Sequence, residues 1–510
     1  MPRSNSLEAD VVSLGTPPAR EGPTSRSDSP LLDQAFSRAA GARRIEGNQV
    51  RLLLDAAENY PAWLHAIAAA QRYIHFESYI IRDDASGRQF ADALMAKAKA
   101  GVTVRLLYDW MGALRKTPAR YWAALRRAGV EVRCFNPFRL SSPLGWVHRD
   151  HRKCLIVDGE VGFITGLCVG DAWVGDVEKG IAPWRDTGIE VRGPAVPEIE
   201  QAFARVWSVV GSPLPEAERL QGHDVAPVGD VALRIVASEP DRAGLLRLDE
   251  LVAAAARETL WLTDAYFVGI PTYVQAVRAA ALDGVDVRLL VPGGTDIPIL
   301  RPLSRAGYRP LLQAGIRVFE WNGPMMHAKT AVADKRWARV GSSNLNIASW
   351  LGNYELDAVM EDAGFAEAMA EQYLRDLGNA TEVLLPRERR RRLWRGRRDA
   401  RLPRPRPSRG DSGSAGRAVA GAVRLGNTVT AAVTDHRVLQ PADARIVGTI
   451  GLALLIIAAL VMLWPRLLAV PGALLLVWTG GALLVRAVRL RRKARPDGDA
   501  LPESPKRRPS

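Results

Sequence analysis

The pattern His-x-Lys-x-x-x-x-Asp occurs twice in this chain, at His151-Arg-Lys-Cys-Leu-Ile-Val-Asp158 and at His327-Ala-Lys-Thr-Ala-Val-Ala-Asp334. With only 7 His in 510 residues, chance is a poor explanation for both coincidences. The flanking sequence repeats with the motif. Tyr73–Ile81 is answered by Leu260–Phe267, Gly101–Leu107 by Gly284–Leu290, and Gly129–Phe135 by Gly315–Phe319. The intervals between partners drift slightly and no shorter period appears, so the chain is a duplicated domain with unequal loops, not a solenoid.

Within each copy, apolar runs of strand length alternate with stretches of helical periodicity. A helix is expected over Gln49–Ala70, then a strand over Tyr73–Ile81, a helix over Gly87–Lys99 and a strand over Val102–Tyr108. A helix over Ala119–Ala128 and strands over Val130–Phe135 and His151–Val157 follow. This alternation predicts two tandem α/β domains, residues 41–215 and 230–385, each a parallel sheet covered by helices.

The spacing of the motif suits a strand, because side chains at i and i+2 share a face. His151 then points with Lys153, and His327 with Lys329. An ammonium offers charge to a phosphate, and an imidazole can attack phosphorus or move a proton near neutral pH. Asp158 and Asp334 are an odd number of places from their His, so a strand turns them away from it. Catalysis and a structural part in the turn after the strand both remain open for them. Gly341-Ser-Ser-Asn344 reads as a turn where Ser342 and Asn344 could hold phosphate oxygens.

These motifs resemble those of the phospholipase D superfamily, over roughly residues 45–385. Within it the chain is similar to bacterial cardiolipin synthases, through Glu77-Ser-Tyr-Ile-Ile-Arg-Asp-Asp84, Gly101–Asp109, His151-Arg-Lys153 and Trp184-Arg-Asp-Thr187. The resemblance implies a pseudo-dimer with both motifs in one cleft. It implies catalytic roles for His151, Lys153, Asp158, His327, Lys329 and Asp334, with Ser342, Asn344, Glu355 and Asp186 in support. Glu355 and, less directly, Asp186 are expected to orient the imidazoles, and His151 is the preferred nucleophile by family analogy. The implied reaction joins two phosphatidylglycerols into cardiolipin, with loss of glycerol, through a phosphohistidine. No metal or cofactor is expected, and no oligomer is needed to assemble the site. One departure stands out: the first motif is followed by Thr165-Gly-Leu-Cys168, so Cys168 replaces the usual Asn. A hydrolytic phospholipase D, a nuclease of the same fold and an inactive scaffold stay open as rivals.

The net charge of +14 invites a nucleic-acid partner, but its distribution argues against one. The excess lies in the Arg-rich run 387–409 and the basic tail 487–510, leaving the rest slightly acidic. Between them, a linker over 386–445 leads to two runs, Ile446–Trp464 and Leu467–Val485, with no ionisable residue. At about 1.5 Å per residue each run matches a hydrocarbon core, and Pro465-Arg466 forces a reversal. The expectation is a transmembrane hairpin over 446–486 with both ends cytoplasmic, in a bacterial-type inner membrane. The partners expected are that membrane and anionic phospholipids. Residues 1–40, rich in Ser, Pro and Arg, read as disordered. Cys134, Cys154 and Cys168 have no metal-ligand spacing and read as buried thiols, apart from a redox reading of Cys168 near the site.

Overall fold

The computed structural model describes residues 30–385 apart from 138–147, 177, 219–224, 241 and 298–299, together with residues 473, 474, 477, 478 and 481. Apart from those last five positions, the expected linker, membrane hairpin and basic tail lie outside the described residues. Among the described residues no helix is long and apolar enough to cross a membrane.

Helix α1 (Pro30–Ala40) opens the described chain, so the last part of the segment read as disordered is ordered. The first half then runs β1 (Ile45–Leu54), α2 (Asp55–Ala69), β2 (Tyr73–Ser78), α3 (Ala85–Lys99) and β3 (Thr103–Asp109). It continues through α4 (Trp110–Ala113), α5 (Ala119–Arg127), β4 (Glu131–Phe135), β5 (Lys153–Val157), β6 (Val161–Thr165), α6 (Asp171–Val174), β7 (Thr187–Arg192) and α7 (Val196–Val209). The second half repeats this with β8 (Val231–Ser238), α8 (Gly244–Ala255), β9 (Thr259–Thr263), α9 (Pro271–Leu282), β10 (Asp286–Pro292) and α10 (Leu300–Gln313). It closes with β11 (Arg317–Trp321), β12 (Thr330–Ala333), β13 (Trp337–Gly341), β14 (Glu355–Met360), α11 (Ala363–Gly378) and β15 (Ala380–Val383).

The strand order is β15-β11-β10-β9-β12-β13-β14-β8-β1-β7-β6-β5-β2-β3-β4. Apart from β15 it reads as a palindrome about the β8–β1 pair, the signature of a duplicated unit. The halves also meet face to face, β6 and β7 against β13 and β14. One apolar core spans both, joining Phe203 and Trp207 of α7 to Leu356 of β14 and Met369 of α11. Burying each such large side chain is worth about 1.5–3 kcal/mol, so neither half is complete alone. Outer cores lie under α2, α3 and α5 in the first half and under α8, α9 and α10 in the second.

Two expectations are corrected. The helix expected over Gln49–Ala70 begins only at Asp55, because Gln49–Leu54 pairs with β7 as an antiparallel strand. The run Val50-Arg-Leu-Leu-Leu54 satisfies either period, and the partner strand decides. The sheets, expected to be parallel, are mixed. β2-β3-β4 and β9-β10-β11 are parallel, joined by crossover helices. β5-β6-β7 and β12-β13-β14 are antiparallel. The cause lies at the motif Asp. Asp158-Gly159 and Asp334-Lys335 take φ of 54°, 68°, 50° and 52°, a left-handed turn that closes a hairpin without any crossover.

Candidate active site

His151 and His327 do not sit inside strands as expected. Each lies just ahead of one, His151 two residues before β5, which opens at Lys153, and His327 three before β12, which opens at Thr330 after Lys329. What places them is the other half. The His151 N–H donates to the Tyr354 carbonyl at 2.9 Å, and the His327 N–H donates to the Arg185 carbonyl at 2.7 Å. The side chains cross over in the same way. His151 Nδ1 lies 2.9 Å from Glu355 Oε2, and His327 Nδ1 lies 2.6 Å from Asp186 Oδ2. Each imidazole of one half is therefore held by a carboxylate of the other, Glu355 opening β14 and Asp186 directly preceding the equivalent β7.

A carboxylate on Nδ1 fixes the proton there and leaves Nε2 as the lone-pair nitrogen. Among the described residues nothing is hydrogen-bonded to either Nε2. Burial lowers the pKa of His151, helped by the charges of Lys153 and Lys329 and opposed by Glu355. Burial and Lys329 push His327 down to about 4 against the pull of Asp186. Both rings are thus neutral near pH 7. His151 feels Lys329 and His327 feels Lys153, so the two motifs share one electrostatic field. Burial alone would raise Asp186 and Glu355, but facing imidazoles and lysines hold both below the ordinary carboxylate range.

Each ammonium folds back onto its own motif, Lys153 donating to the His151 carbonyl and Lys329 to the His327 carbonyl. Burial brings the Lys329 pKa down to about 8. Asn344 is buried, and its Oδ1, an acceptor, has no partner among the described residues. Ser342 departs from its expected place on phosphate, because its Oγ donates to Glu355 Oε2 at 2.5 Å. Ser349 (2.6 Å) and Asn353 (3.3 Å) donate to Oε1 of the same carboxylate. Asp186 instead receives the Trp173 indole N–H at 3.1 Å and the Thr187 N–H at 2.9 Å.

Asp158 and Asp334, counted with the catalytic set, lie at the far ends of their strands from the imidazoles. The Asp158 carboxylate accepts from the N–H groups of Gln71, Arg72 and Tyr73 at 2.7–2.8 Å. Asp334 accepts from Arg257, Glu258 and Thr259 at 2.8 Å. Three donors converge on an acceptor-only group, so each Asp staples its hairpin turn to the start of the neighbouring strand.

Aromatic rings wall the site. Tyr79 meets His151 edge-on at 4.8 Å, and Tyr266, Trp173 and Trp184 surround His327 at 5.5–5.9 Å. Ser349, Asn353 and Trp173 were not singled out by sequence; only their nearness to Glu355 and Asp186 pointed to them. His148 bonds the Gly352 carbonyl through Nδ1 at 2.8 Å, in keeping with a structural His. Cys154 is buried beside Glu77, and burial raises its thiol pKa well above the usual range.

A family profile described as "Cardiolipin synthase, PLD-like domain" matches residues 63–207 and 251–377. A cardiolipin synthase of Alkalihalophilus pseudofirmus is 34% identical over 340 residues, 66% of this chain and 67% of that protein. Cardiolipin synthase 2 of Bacillus anthracis is 33% identical over 353 residues, 68% of each chain. Among solved structures, phosphatidylserine synthase of Haemophilus influenzae Rd KW20 is similar in fold, with a TM-score of 0.55 at 13% identity over 72% of this chain and 97% of that one.

Proposed function

Because the chain belongs to the phospholipase D-like family of the bacterial cardiolipin synthases, and is an enzyme of that superfamily, we propose that it transfers a phosphatidyl group between two phosphatidylglycerol molecules. The observation that carries the reading is the crossed pair of imidazoles, each held through Nδ1 by the opposite half. His151 Nε2 attacks phosphorus and the bond to the glycerol oxygen breaks. The negative charge of the bound phosphodiester draws a proton onto His327, which gives it to the departing glycerol. His327, neutral again, takes the proton from the primary hydroxyl of a second phosphatidylglycerol. That oxygen attacks the phosphohistidine, the P–N bond breaks, and cardiolipin leaves. Lys153 and Lys329 supply positive charge to the non-bridging oxygens, and Asn344 can donate to them only through its amide NH2. The names of the relatives support cardiolipin as product.

The membrane expectation joins this proposal: the hairpin over 446–486 holds the catalytic halves against the cytoplasmic face of an inner membrane, where the substrate lies. Protease added from the cytoplasmic side should digest the body, and protection from that side contradicts the placement.

The test of the reaction is expression in cells that make no cardiolipin, with lipid analysis by mass spectrometry. Cardiolipin should appear. Phosphatidic acid without cardiolipin would assign hydrolysis instead.

A further inference from the structure

One buried carboxylate has no part in the chemistry above. Asp109 ends β3 and is fully buried. Its Oδ1 accepts from the N–H groups of Met111 at 2.7 Å and Gly112 at 3.3 Å, both in α4, and from Arg149 Nη1 at 3.1 Å. Its Oδ2 accepts from the Asp150 N–H at 3.0 Å. Four donors thus face one acceptor-only group, and they come from two separate stretches of chain. Burial raises the Asp109 pKa, and the Arg149 charge and the backbone donors work against that rise.

Both stretches lead to His151. Arg149 and Asp150 run directly into it, and Arg149 is fixed further, donating from Nε to the His148 carbonyl at 2.8 Å and from Nη2 to the Asn136 carbonyl at 3.1 Å. The Tyr354 N–H donates to the Arg149 carbonyl at 2.8 Å, so this segment is laid against the residue that precedes Glu355. The α4 turn reaches the imidazole by another route. Gly112 lies so near Tyr79 that a Cβ there would collide with the Tyr79 carbonyl, and the Tyr79 ring meets His151 edge-on. Asp109 therefore sets both the backbone on which His151 hangs and the ring against which it rests, through these neighbours and not by a bond to the imidazole.

The second half is built differently here. Val157 and Ala333, each just ahead of a motif Asp, pair with Ile74 and Leu260, and these pair in turn with Val104 and Val287. Five residues further along β3 and β10, Asp109 corresponds to Pro292, whose side chain accepts nothing. The Arg185 N–H donates to the Met325 carbonyl at 2.9 Å, as the Tyr354 N–H does to that of Arg149, so Arg149 corresponds to Met325 and Asp150 to Met326. Both methionines are buried. A buried ion pair gains little stability over apolar side chains of similar volume, and the second half shows that apolar side chains can fill this place. What the pair adds is direction, since charge-assisted hydrogen bonds hold atoms at set distances and angles.

We propose that Asp109, together with Arg149, is a positioning residue for His151, holding its Nε2 lone pair in line with phosphorus. The inference rests on the reading of His151 as the attacking group.

The experiment compares Asp109→Asn with Asp158→Asn in the full-length protein on phosphatidylglycerol vesicles. Both carboxylates are buried and collect backbone N–H donors that cannot turn to accept, so both variants lose stability. Only Asp109 is tied to the segment that carries the imidazole. Turnover is read as phosphatidylglycerol consumed per folded enzyme, so cardiolipin and phosphatidic acid count alike as product. Asp109→Asn should lower kcat about 10²-fold with KM within about threefold, the scale of a reacting group displaced by about 1 Å, while Asp158→Asn keeps both within about threefold. The double variant Asp109→Asn/Arg149→Met removes both charges, and it should regain stability over Asp109→Asn yet stay as slow. A kcat within about threefold in Asp109→Asn, or a rate that returns with stability in the double variant, overturns the positioning role. If His151→Ala keeps full turnover, the reading of His151 falls and takes the positioning role with it.

Discussion

His151 and His327 occupy equivalent positions, yet the carboxylates that hold them are supported in different ways. Glu355 accepts from the hydroxyls of Ser342 and Ser349 and from the Asn353 amide. Asp186 accepts from the Trp173 indole and the Thr187 N–H, groups that can only donate. The packing differs in step. Ser342 in the second half corresponds to Gly166 in the first, and a Cβ on Gly166 would come within 2.1 Å of Asp186 Oδ1. The Asp186 carboxylate fills the space that a Ser side chain takes in the other half. Duplication conserved the crossing of carboxylate to imidazole, while the network behind each carboxylate was rebuilt.

This contrast predicts unequal responses to one chemical change. In Asp186→Asn the NH2 must face either the Thr187 N–H or, turned over, both the Trp173 indole N–H and the His327 Nδ1–H, donors that cannot turn to accept, so the hold on the ring is weakened either way. A fall in kcat of about 10³–10⁴ is expected, the scale seen when a His loses its orienting carboxylate. In Glu355→Gln the Ser342 and Ser349 hydroxyls can rotate to accept, and the loss should be about tenfold smaller. Equal losses measured with phosphatidylglycerol vesicles would break the comparison.

A second separation appears in the pH profile. With His327 pushed down to about 4, the neutral ring persists well below pH 6, and rates should fall only as pH approaches the low imidazole values. Above pH 8 the Lys329 ammonium, whose pKa is near 8, is lost, and KM should rise about tenfold per pH unit. Lys329→Arg should move that alkaline limb upward, and an unmoved limb would assign it to another group.

Where the halves are alike, the effects should match. Asp158→Ala and Asp334→Ala each strip three backbone donors of their acceptor, and each should lower unfolding stability by about 2–4 kcal/mol. The kcat of the remaining folded protein should stay within about threefold, since neither group touches the imidazoles. Thermal melts and low-temperature rates check this. The smallest effect belongs to Cys168→Asn, which makes the two half-sites more alike and should change kcat by less than about threefold.

The duplication was legible because glycines punctuate both copies: Gly101 and Gly284, at φ of 90° and 99°, end matching helices before matching strands. The motif was legible as chemistry because His and Lys recur at a fixed offset. Glu355 came from the family resemblance, as did Asp186 more weakly. The crossing itself was not legible, because local periodicity carries no record of contacts spanning 204 and 141 residues. The hairpins were missed although Asp158-Gly159 is a turn signal, since the alternation of strand and helix was extended one strand too far. Ser342 was assigned to phosphate because a hydroxyl beside a turn is ambiguous until its acceptor is seen.

The central claim, that both imidazoles act on a single phosphorus, is tested most directly by comparing His151→Ala, His327→Ala and the double variant in steady-state turnover of phosphatidylglycerol. One shared site predicts that each single change costs at least about 10³ in kcat and that the double variant is little worse than the poorer single one. Two independent sites would leave about half the activity in each single variant and none in the double, and that result would contradict the account.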